Sequence, residues 1–121
     1  MFKRIDHIEL LTASPERTIA FYIGVLGFHE RERMRIPETS FGPLDLVYLE
    51  LGGTTIEVMC HPEAKAIPAR SAEQRLGWQC LAVEVDDMDR TLSALKSKGV
   101  EVAWGPITGY ESMRSLMASE S

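Results

Sequence analysis

The stretch IDHIELLTASPERTIAFYIGVLGF, residues 5–28, places a strand pattern directly before a helix pattern. Residues 5–11 alternate in the way that predicts a strand, with one face formed by Ile5, His7, Glu9 and Leu11. The tripeptide Ser14-Pro15-Glu16 predicts the start of a helix. Serine caps free backbone N–H groups, proline suits the first helical position, and glutamate favours the positive end. Gly27 is placed to end that helix in a left-handed conformation.

Further strands and a second helix follow along the chain. Strands are predicted at residues 28–36, 44–51 and 54–60 in the first half, and at 79–85, 100–104 and 113–117 in the second. Gly52-Gly53 predicts the turn between the second and third of these. Asp87 stands where a helix cap belongs, and Gly99 stands where that helix ends. Residues 61–78 contain two prolines and few periodic apolar residues, which predicts a linker.

The two halves repeat each other at a nearly constant spacing. It is 73 residues for two pairs and 72 for a third: Ser14 and Asp87, His7 and Cys80, and Gly27 and Gly99. We therefore predict a single α+β domain over residues 1–121, built from two tandem βαβββ modules. Module one covers residues 1–60 and module two covers residues 79–121. The second module is predicted to lack its last strand, because the same offset from Glu57 falls beyond residue 121.

Composition and charge set the broad class of protein. The 121 residues suit one domain, and 45% hydrophobic residues are enough to bury a core. With 13 Lys and Arg against 18 Asp and Glu, the net charge of −5 offers no basic stripe for nucleic acid. No apolar run approaches the roughly 20 residues of a membrane span. Two cysteines are too few for a secreted disulfide scaffold, so we predict a cytoplasmic protein. The charge and the lack of a long apolar run predict neither a nucleic-acid nor a membrane partner.

Four stretches stand out together: IDHI (residues 5–8), FY followed by VLGF (within 21–28), TIEV (55–58) and AVEVDDMD (82–89). With them the sequence resembles the vicinal oxygen chelate superfamily, from residue 4 to about residue 117. Its members include glyoxalase I (lactoylglutathione lyase), methylmalonyl-CoA epimerase, extradiol dioxygenases, and the fosfomycin and bleomycin resistance proteins. The resemblance implies paired βαβββ modules that form a cupped mixed sheet around a divalent metal ion.

The resemblance also implies a set of metal ligands, usually one from the first strand and one from the fourth strand of each module. His7 matches the first-strand position and Glu57 the fourth-strand position. Cys80 matches the third position by the repeat offset, with Gln79 beside it, and the fourth position has no counterpart. Zn²⁺, Ni²⁺, Mn²⁺ and Fe²⁺ all accept imidazole and carboxylate ligands. Glu57 is also the predicted catalytic residue, because a carboxylate there can remove a proton beside the chelating oxygens.

Each proposed ligand also has a simpler interpretation. His7 is equally explained as a hydrogen-bonded histidine in a half-buried strand, and Glu57 as a solvent-facing side chain on an exposed sheet. Cys80 is explained as a small buried hydrophobic residue, which is the usual state of an unpaired cysteine. Strand parity and residue size predict the wall of a small-molecule cup from Thr55, Met59, Trp78, Ala82 and Glu84.

The leading functional prediction is a glyoxalase-like, metal-dependent lyase or isomerase of the lactoylglutathione lyase or epimerase type. It would act on a small substrate that chelates the metal through two oxygens. The alternatives are a metal-free protein that binds a small molecule, as bleomycin or fosfomycin resistance proteins do, and a truncated, inactive relative. A sheet that lacks its last strand leaves an exposed edge, which predicts a homodimer.

Overall fold

The computed structural model describes residues 1–40, 42–61, 65, 76–78, 80–104 and 117–118. The chain divides into two units, Met1–Pro68 and Ala69–Ser121. Within the described residues, the first unit contains one helix and a sheet of four strands, and the second contains one helix and a pair of short strands. The predicted α+β class is therefore confirmed, whereas the tandem βαβββ repeat stays a prediction.

The first unit is built around a mixed sheet. Its elements are β1 (Ile8–Thr12), α1 (Pro15–Gly24), β2 (His29–Ile36), β3 (Leu44–Leu51) and β4 (Thr54–Cys60). The strand order is β1-β4-β3-β2, with β1 parallel to β4 and the other neighbours antiparallel. The bounds predicted for β3 and β4 are confirmed, and β2 begins one residue later than predicted. Gly52 and Gly53 make the turn between β3 and β4 with φ angles of 55° and 82°, which favour glycine.

The first strand is shorter than the sequence pattern predicts. It begins at Ile8 rather than Ile5, because its ladder with β4 starts at the pair of Ile8 and Ile56. The partner strand β4 itself begins at Thr54, just two residues before that pair. Residues 5–7 therefore precede the sheet, and His7 lies immediately before β1.

Helix α1 begins at Pro15 as predicted, but its cap differs from the prediction. Ser14 occupies the cap position without a side-chain hydrogen bond to the helix. Instead, the Ser14 backbone N–H donates to the Thr12 hydroxyl oxygen at 3.0 Å, and this hydroxyl lies 2.8 Å from that of Thr18. Thr12 thus ties the end of β1 to the first turn of the helix. Beyond the helix, Gly27 has the predicted left-handed conformation, with a φ angle of 85°.

The core of the first unit lies between α1 and one face of the sheet. Its buried side chains are Ile19, Phe28, Val47, Leu49, Ile56 and Val58. Because side chains alternate along a strand, the residues that separate these core positions on β3 and β4 point to the opposite face. Tyr48 and Glu57 are two of them, so a polar site can form on the face of the sheet that α1 does not cover.

The helix of the second unit, α2 (Met88–Ser97), has the predicted cap. The Asp87 carboxylate accepts a hydrogen bond from the Arg90 backbone N–H at 2.9 Å, and Gly99 follows the helix with a φ angle of 76°. Beyond it, β5 (Val102–Trp104) pairs antiparallel with β6 (Met117–Ala118). In the part of the chain that the structure describes, neither helix has the length or the apolar run that a membrane crossing requires.

Two strand predictions in the second unit need correction or lie outside the described residues. The strand predicted over residues 79–85 is wrong where it can be checked, since residues 80–85 form no strand. A strand exists only where a neighbouring backbone supplies hydrogen bonds, and an alternating pattern does not reveal that neighbour. Of the strand predicted over residues 113–117, only Met117 is described, and it belongs to β6. The described residues of the predicted linker, 61–78, belong to no helix or strand.

The two helix caps provide a matched pair of stability predictions. Asp87→Ala is expected to destabilise α2 by about 1 kcal/mol, because the Arg90 N–H loses its acceptor. Ser14→Ala should cost less than about 0.5 kcal/mol, because the Ser14 side chain makes no bond to α1. Amide hydrogen exchange at the first turn of each helix measures both changes. Equal loss of protection in the two variants would contradict the difference in capping.

Candidate metal centre

Strand register brings the residues of the candidate site together. The parallel pairing of β1 with β4 places Glu9 beside Glu57, and the antiparallel pairing of β3 with β4 places Tyr48 on the other side of Glu57. Ile56 and Val58 are buried toward α1, so the Glu57 side chain between them points to the opposite face. His7 reaches the same place from just before β1.

His7 and Glu57 are in direct contact. The His7 Nε2 atom lies 2.9 Å from Glu57 Oε2 and 3.7 Å from Glu9 Oε1. The other ring nitrogen of His7, Nδ1, lies 2.9 Å from Asp6 Oδ2. The Glu57 side chain is only 8% exposed, which excludes the interpretation of Glu57 as a solvent-facing residue. A carboxylate this buried needs a charged partner, and His7 supplies it.

The surroundings of His7 favour its protonated form. The hydrogen bond with Asp6 raises the pKa of His7, burial opposes that rise, and the negative charges of Glu57 and Glu9 add to it. In return, the hydrogen bond with His7 lowers the pKa of Asp6, and the charge of Arg4, whose Nη2 atom lies 3.1 Å from Asp6 Oδ1, lowers it further. Without a metal, His7 is therefore stabilised as an imidazolium between carboxylates.

Tyr48 supports Glu57 from the neighbouring strand. Burial raises the pKa of Tyr48, and so do the charge of Glu57 and the hydrogen bond between the two side chains. The Tyr48 ring stands edge-on to His7, with 6.1 Å between ring centres and 88° between ring planes. The Arg31 guanidinium carbon lies 5.1 Å from the centre of the same ring, and Arg31 Nη1 lies 2.7 Å from Glu50 Oε1. Tyr48 is thus a neutral donor that orients the Glu57 carboxylate.

Three donor groups converge on this face of the sheet. One imidazole nitrogen of His7 and one carboxylate oxygen each of Glu9 and Glu57 all lie within 4.8 Å of one another. Imidazole nitrogen and carboxylate oxygen are ligands that Zn²⁺, Ni²⁺, Mn²⁺ and Fe²⁺ accept. The Asp6 carboxylate on Nδ1 matches the partner that commonly orients a metal-binding histidine. The residues present therefore fit a divalent metal ion.

The other predicted site residues are divided between the two units. In the first unit, Thr55 is buried and donates to Glu50 Oε1 at 3.4 Å, and Met59 is half-buried on the same strand face as Glu57. Four lie in the second unit and are exposed: Trp78, Cys80, Ala82 and Glu84. The exposure of Cys80 disagrees with its interpretation as a small buried hydrophobic residue. Its role as a ligand, and the substrate-binding roles of the other residues, stay predictions.

Glu9 and Tyr48 are two residues at this place to which the sequence pattern assigned no role. Glu9 shares a predicted strand face with His7, so parity alone could have drawn attention to it. Tyr48 could not be found in that way, because its position beside Glu57 depends on the register of β3 against β4.

Tyr48→Phe is expected to weaken the binding of a divalent metal roughly tenfold, because Glu57 loses the hydrogen bond that orients its carboxylate. Tyr22→Phe is the control, since Tyr22 packs against Phe28 in the core with 5.3 Å between ring centres. Titration calorimetry with Zn²⁺ compares the two variants with the unmodified chain. Equal affinities in all three would show that Tyr48 does not orient a metal ligand.

Comparisons with known proteins agree with this fold. The protein YwkD of Bacillus subtilis (strain 168) is 29% identical over 113 residues, which cover 90% of this chain and 84% of YwkD. The crystal structure of a glyoxalase family protein from Enterococcus faecalis has a TM-score of 0.73 at 24% identity, over 97% of this chain and 87% of that one. The fosfomycin resistance protein FosX from Listeria monocytogenes, solved as its E126Q mutant with Mn(II) and 1S,2S-dihydroxypropylphosphonic acid, has a TM-score of 0.65 at 17% identity, over 99% and 86% of the two chains. The family model of the Glyoxalase/Bleomycin resistance protein/Dioxygenase superfamily matches residues 4–119, nearly the whole chain, and the chain therefore belongs to that superfamily.

Proposed function

We propose that this protein is a glyoxalase-like, metal-dependent lyase or isomerase that acts on a small substrate with two neighbouring oxygens. The observation that carries the proposal is the buried contact of 2.9 Å between His7 Nε2 and Glu57 Oε2, on the face of the sheet opposite α1. Both residues occupy positions at which the resemblance to this superfamily implies metal ligands. The expected ion is Zn²⁺, Ni²⁺, Mn²⁺ or Fe²⁺.

In this proposal different residues of the first unit bind the metal, orient its ligands and transfer the proton. His7 and Glu57 hold the metal, and Asp6 keeps the His7 ring oriented through Nδ1. A bound metal ion would act as a Lewis acid that polarises the substrate oxygens. A Glu57 carboxylate oxygen takes the proton from the substrate carbon beside those oxygens and can return it to the same or the neighbouring carbon. Tyr48 holds the carboxylate in place for this transfer.

The remaining predictions from the sequence belong to the same proposal. One domain would span residues 1–121, with a module over 1–60, a linker over 61–78 and a second module over 79–121. The third ligand that the repeat offset assigns is Cys80, and the wall of the substrate cup would come from Thr55, Met59, Trp78, Ala82 and Glu84. A cytoplasmic location and a homodimer complete the picture. A monomeric mass by light scattering at micromolar concentration would contradict the dimer.

Metal content tests the proposal most directly. Elemental mass spectrometry on gently purified protein should find close to one Zn, Ni, Mn or Fe per chain. The metal-loaded protein should then convert the methylglyoxal–glutathione adduct or epimerise an epimerase substrate. Removal of the metal by a chelator should abolish that activity. Absence of metal after incubation with an excess of each ion would contradict the enzymatic proposal.

One observation favours the metal-free alternative. Both ring nitrogens of His7 already have a carboxylate partner, at 2.9 Å in each case, so the buried Glu57 charge is balanced without a metal. A protein of this kind would bind a small molecule, as a bleomycin or fosfomycin resistance protein does, or it would be an inactive relative. Its ligand affinity would survive chelator treatment, whereas that of the proposed enzyme would not.

A further inference from the structure

The pairing of β1 with β4 places two carboxylates side by side. Glu9 and Glu57 are direct neighbours in the parallel ladder, and like charges at such positions repel each other. His7 Nε2 faces both of them, at 3.7 Å from Glu9 and 2.9 Å from Glu57. The same ring nitrogen thus faces two carboxylates that lie side by side, an arrangement that a divalent cation would bridge and stabilise.

We propose that Glu9 is the third protein ligand of the metal, so that the first unit holds the ion without a ligand from the second unit. The inference rests on the proposed function and gives Glu9 the place that the repeat offset assigns to Cys80. A catalytic metal site commonly has three protein ligands and leaves the remaining positions open for substrate and water. Glu9 on β1, Glu57 on the adjacent strand β4, and His7 just before β1 supply that number.

The two distances from His7 Nε2 suit a shared ion. Donor atoms that bind one ion at about 2.0–2.2 Å each cannot lie more than about 4.4 Å apart. His7 Nε2 is already within that limit of a carboxylate oxygen of Glu9 and one of Glu57. The Glu9 side chain is 58% exposed, so its carboxylate can turn toward the ion without disturbing the packing. Glu57 is buried and held by Tyr48, and it provides the fixed end of the site.

Binding of Co²⁺ distinguishes Glu9 from Cys80 without any assay of activity. A cysteine thiolate bound to Co²⁺ gives an intense charge-transfer absorption in the near ultraviolet, and carboxylate and imidazole ligands do not. We expect the full chain to bind one Co²⁺ without that absorption. The spectrum needs no variant, so the result does not depend on whether a substituted chain folds.

Three variants complete the experiment by titration calorimetry with Co²⁺. Glu9→Gln is expected to weaken the affinity at least about tenfold, as loss of a ligand requires. Glu32→Gln removes one exposed negative charge from β2, next to Tyr48 in the ladder, and should change the affinity about twofold or less. Cys80→Ser should leave both the affinity and the spectrum unchanged.

The outcomes separate this inference from the proposed function. A thiolate absorption that Cys80→Ser abolishes would overturn the inference and leave the metal-dependent function standing. Equal affinities of the Glu9→Gln and Glu32→Gln variants would do the same. If the unmodified chain binds no Co²⁺, both the inference and the proposed function fail. Stoichiometric binding without thiolate absorption, lost selectively with Glu9→Gln, supports the inference.

Discussion

The substitution Glu57→Gln is expected to weaken metal binding by more than about 100-fold, because even residues that only orient a ligand change metal affinity about 10–100-fold. Glu57 is the least exposed donor of the cluster and contacts His7 directly. An amide of the same shape keeps the contacts with its neighbours but loses the negative charge. The chain should therefore stay folded while it loses the metal and, with it, the proposed proton transfer.

The matched control for this prediction is Glu50→Gln. Glu50 lies on the same face of the sheet and is also partly buried, but its side chain contacts Arg31 at 2.7 Å, His29 at 3.3 Å and Thr55 at 3.4 Å. Elemental analysis after dialysis and far-UV circular dichroism should report metal and fold for both variants. Retention of stoichiometric metal by Glu57→Gln, or equal loss in both variants, would show that Glu57 is not a ligand.

The fold was predictable where local chemistry decides the structure. The paired glycines at residues 52 and 53 and the alternation on either side predict both bounds of β3 and of β4 correctly. Pro15 and Asp87 likewise mark the two helix starts, since proline and aspartate act within one turn of the chain. These signals need no knowledge of distant residues.

Local signals could not show that the strand predicted over residues 79–85 would be absent. Its alternation resembles that of β3, yet no strand is present over residues 80–85. A strand depends on a hydrogen-bonded neighbour elsewhere in the chain, and the pattern of one segment contains no information about that neighbour. The short start of β1 has the same cause, because the ladder with β4 sets its first residue.

The candidate site shows the same contrast between residues that the sequence identifies and residues that only strand pairing brings together. Resemblance to the superfamily singles out His7 and Glu57, and the side chains of these two residues are in contact. Glu9 and Tyr48 are defined by the register of three strands, in which a shift of one residue would turn either side chain to the other face. The role of Cys80 depends on a repeat offset alone and therefore stays a prediction.

Leu49→Ala is expected to reduce the free energy of unfolding of the first unit by about 3 kcal/mol, within the range measured for buried leucine residues. Leu49 is 0% exposed and belongs to the core between α1 and the sheet. The substitution removes a buried side chain and leaves a cavity that the neighbouring strands cannot close. Because Leu49 precedes Glu50 and follows Tyr48 on β3, its loss loosens the strand that orients Glu57.

Leu11→Ala on β1 is the control, because Leu11 is 51% exposed and its removal should cost about 1 kcal/mol or less. Urea unfolding followed by far-UV circular dichroism measures both variants, with a lower midpoint and an unchanged slope expected for Leu49→Ala. Similar midpoints for the two variants would contradict a core on the α1 side of the sheet. The burial places the core on the α1 side of the sheet, so the opposite face does not have to pack against the helix. That face can therefore carry a buried carboxylate beside a histidine, which is the arrangement on which the proposed chemistry depends.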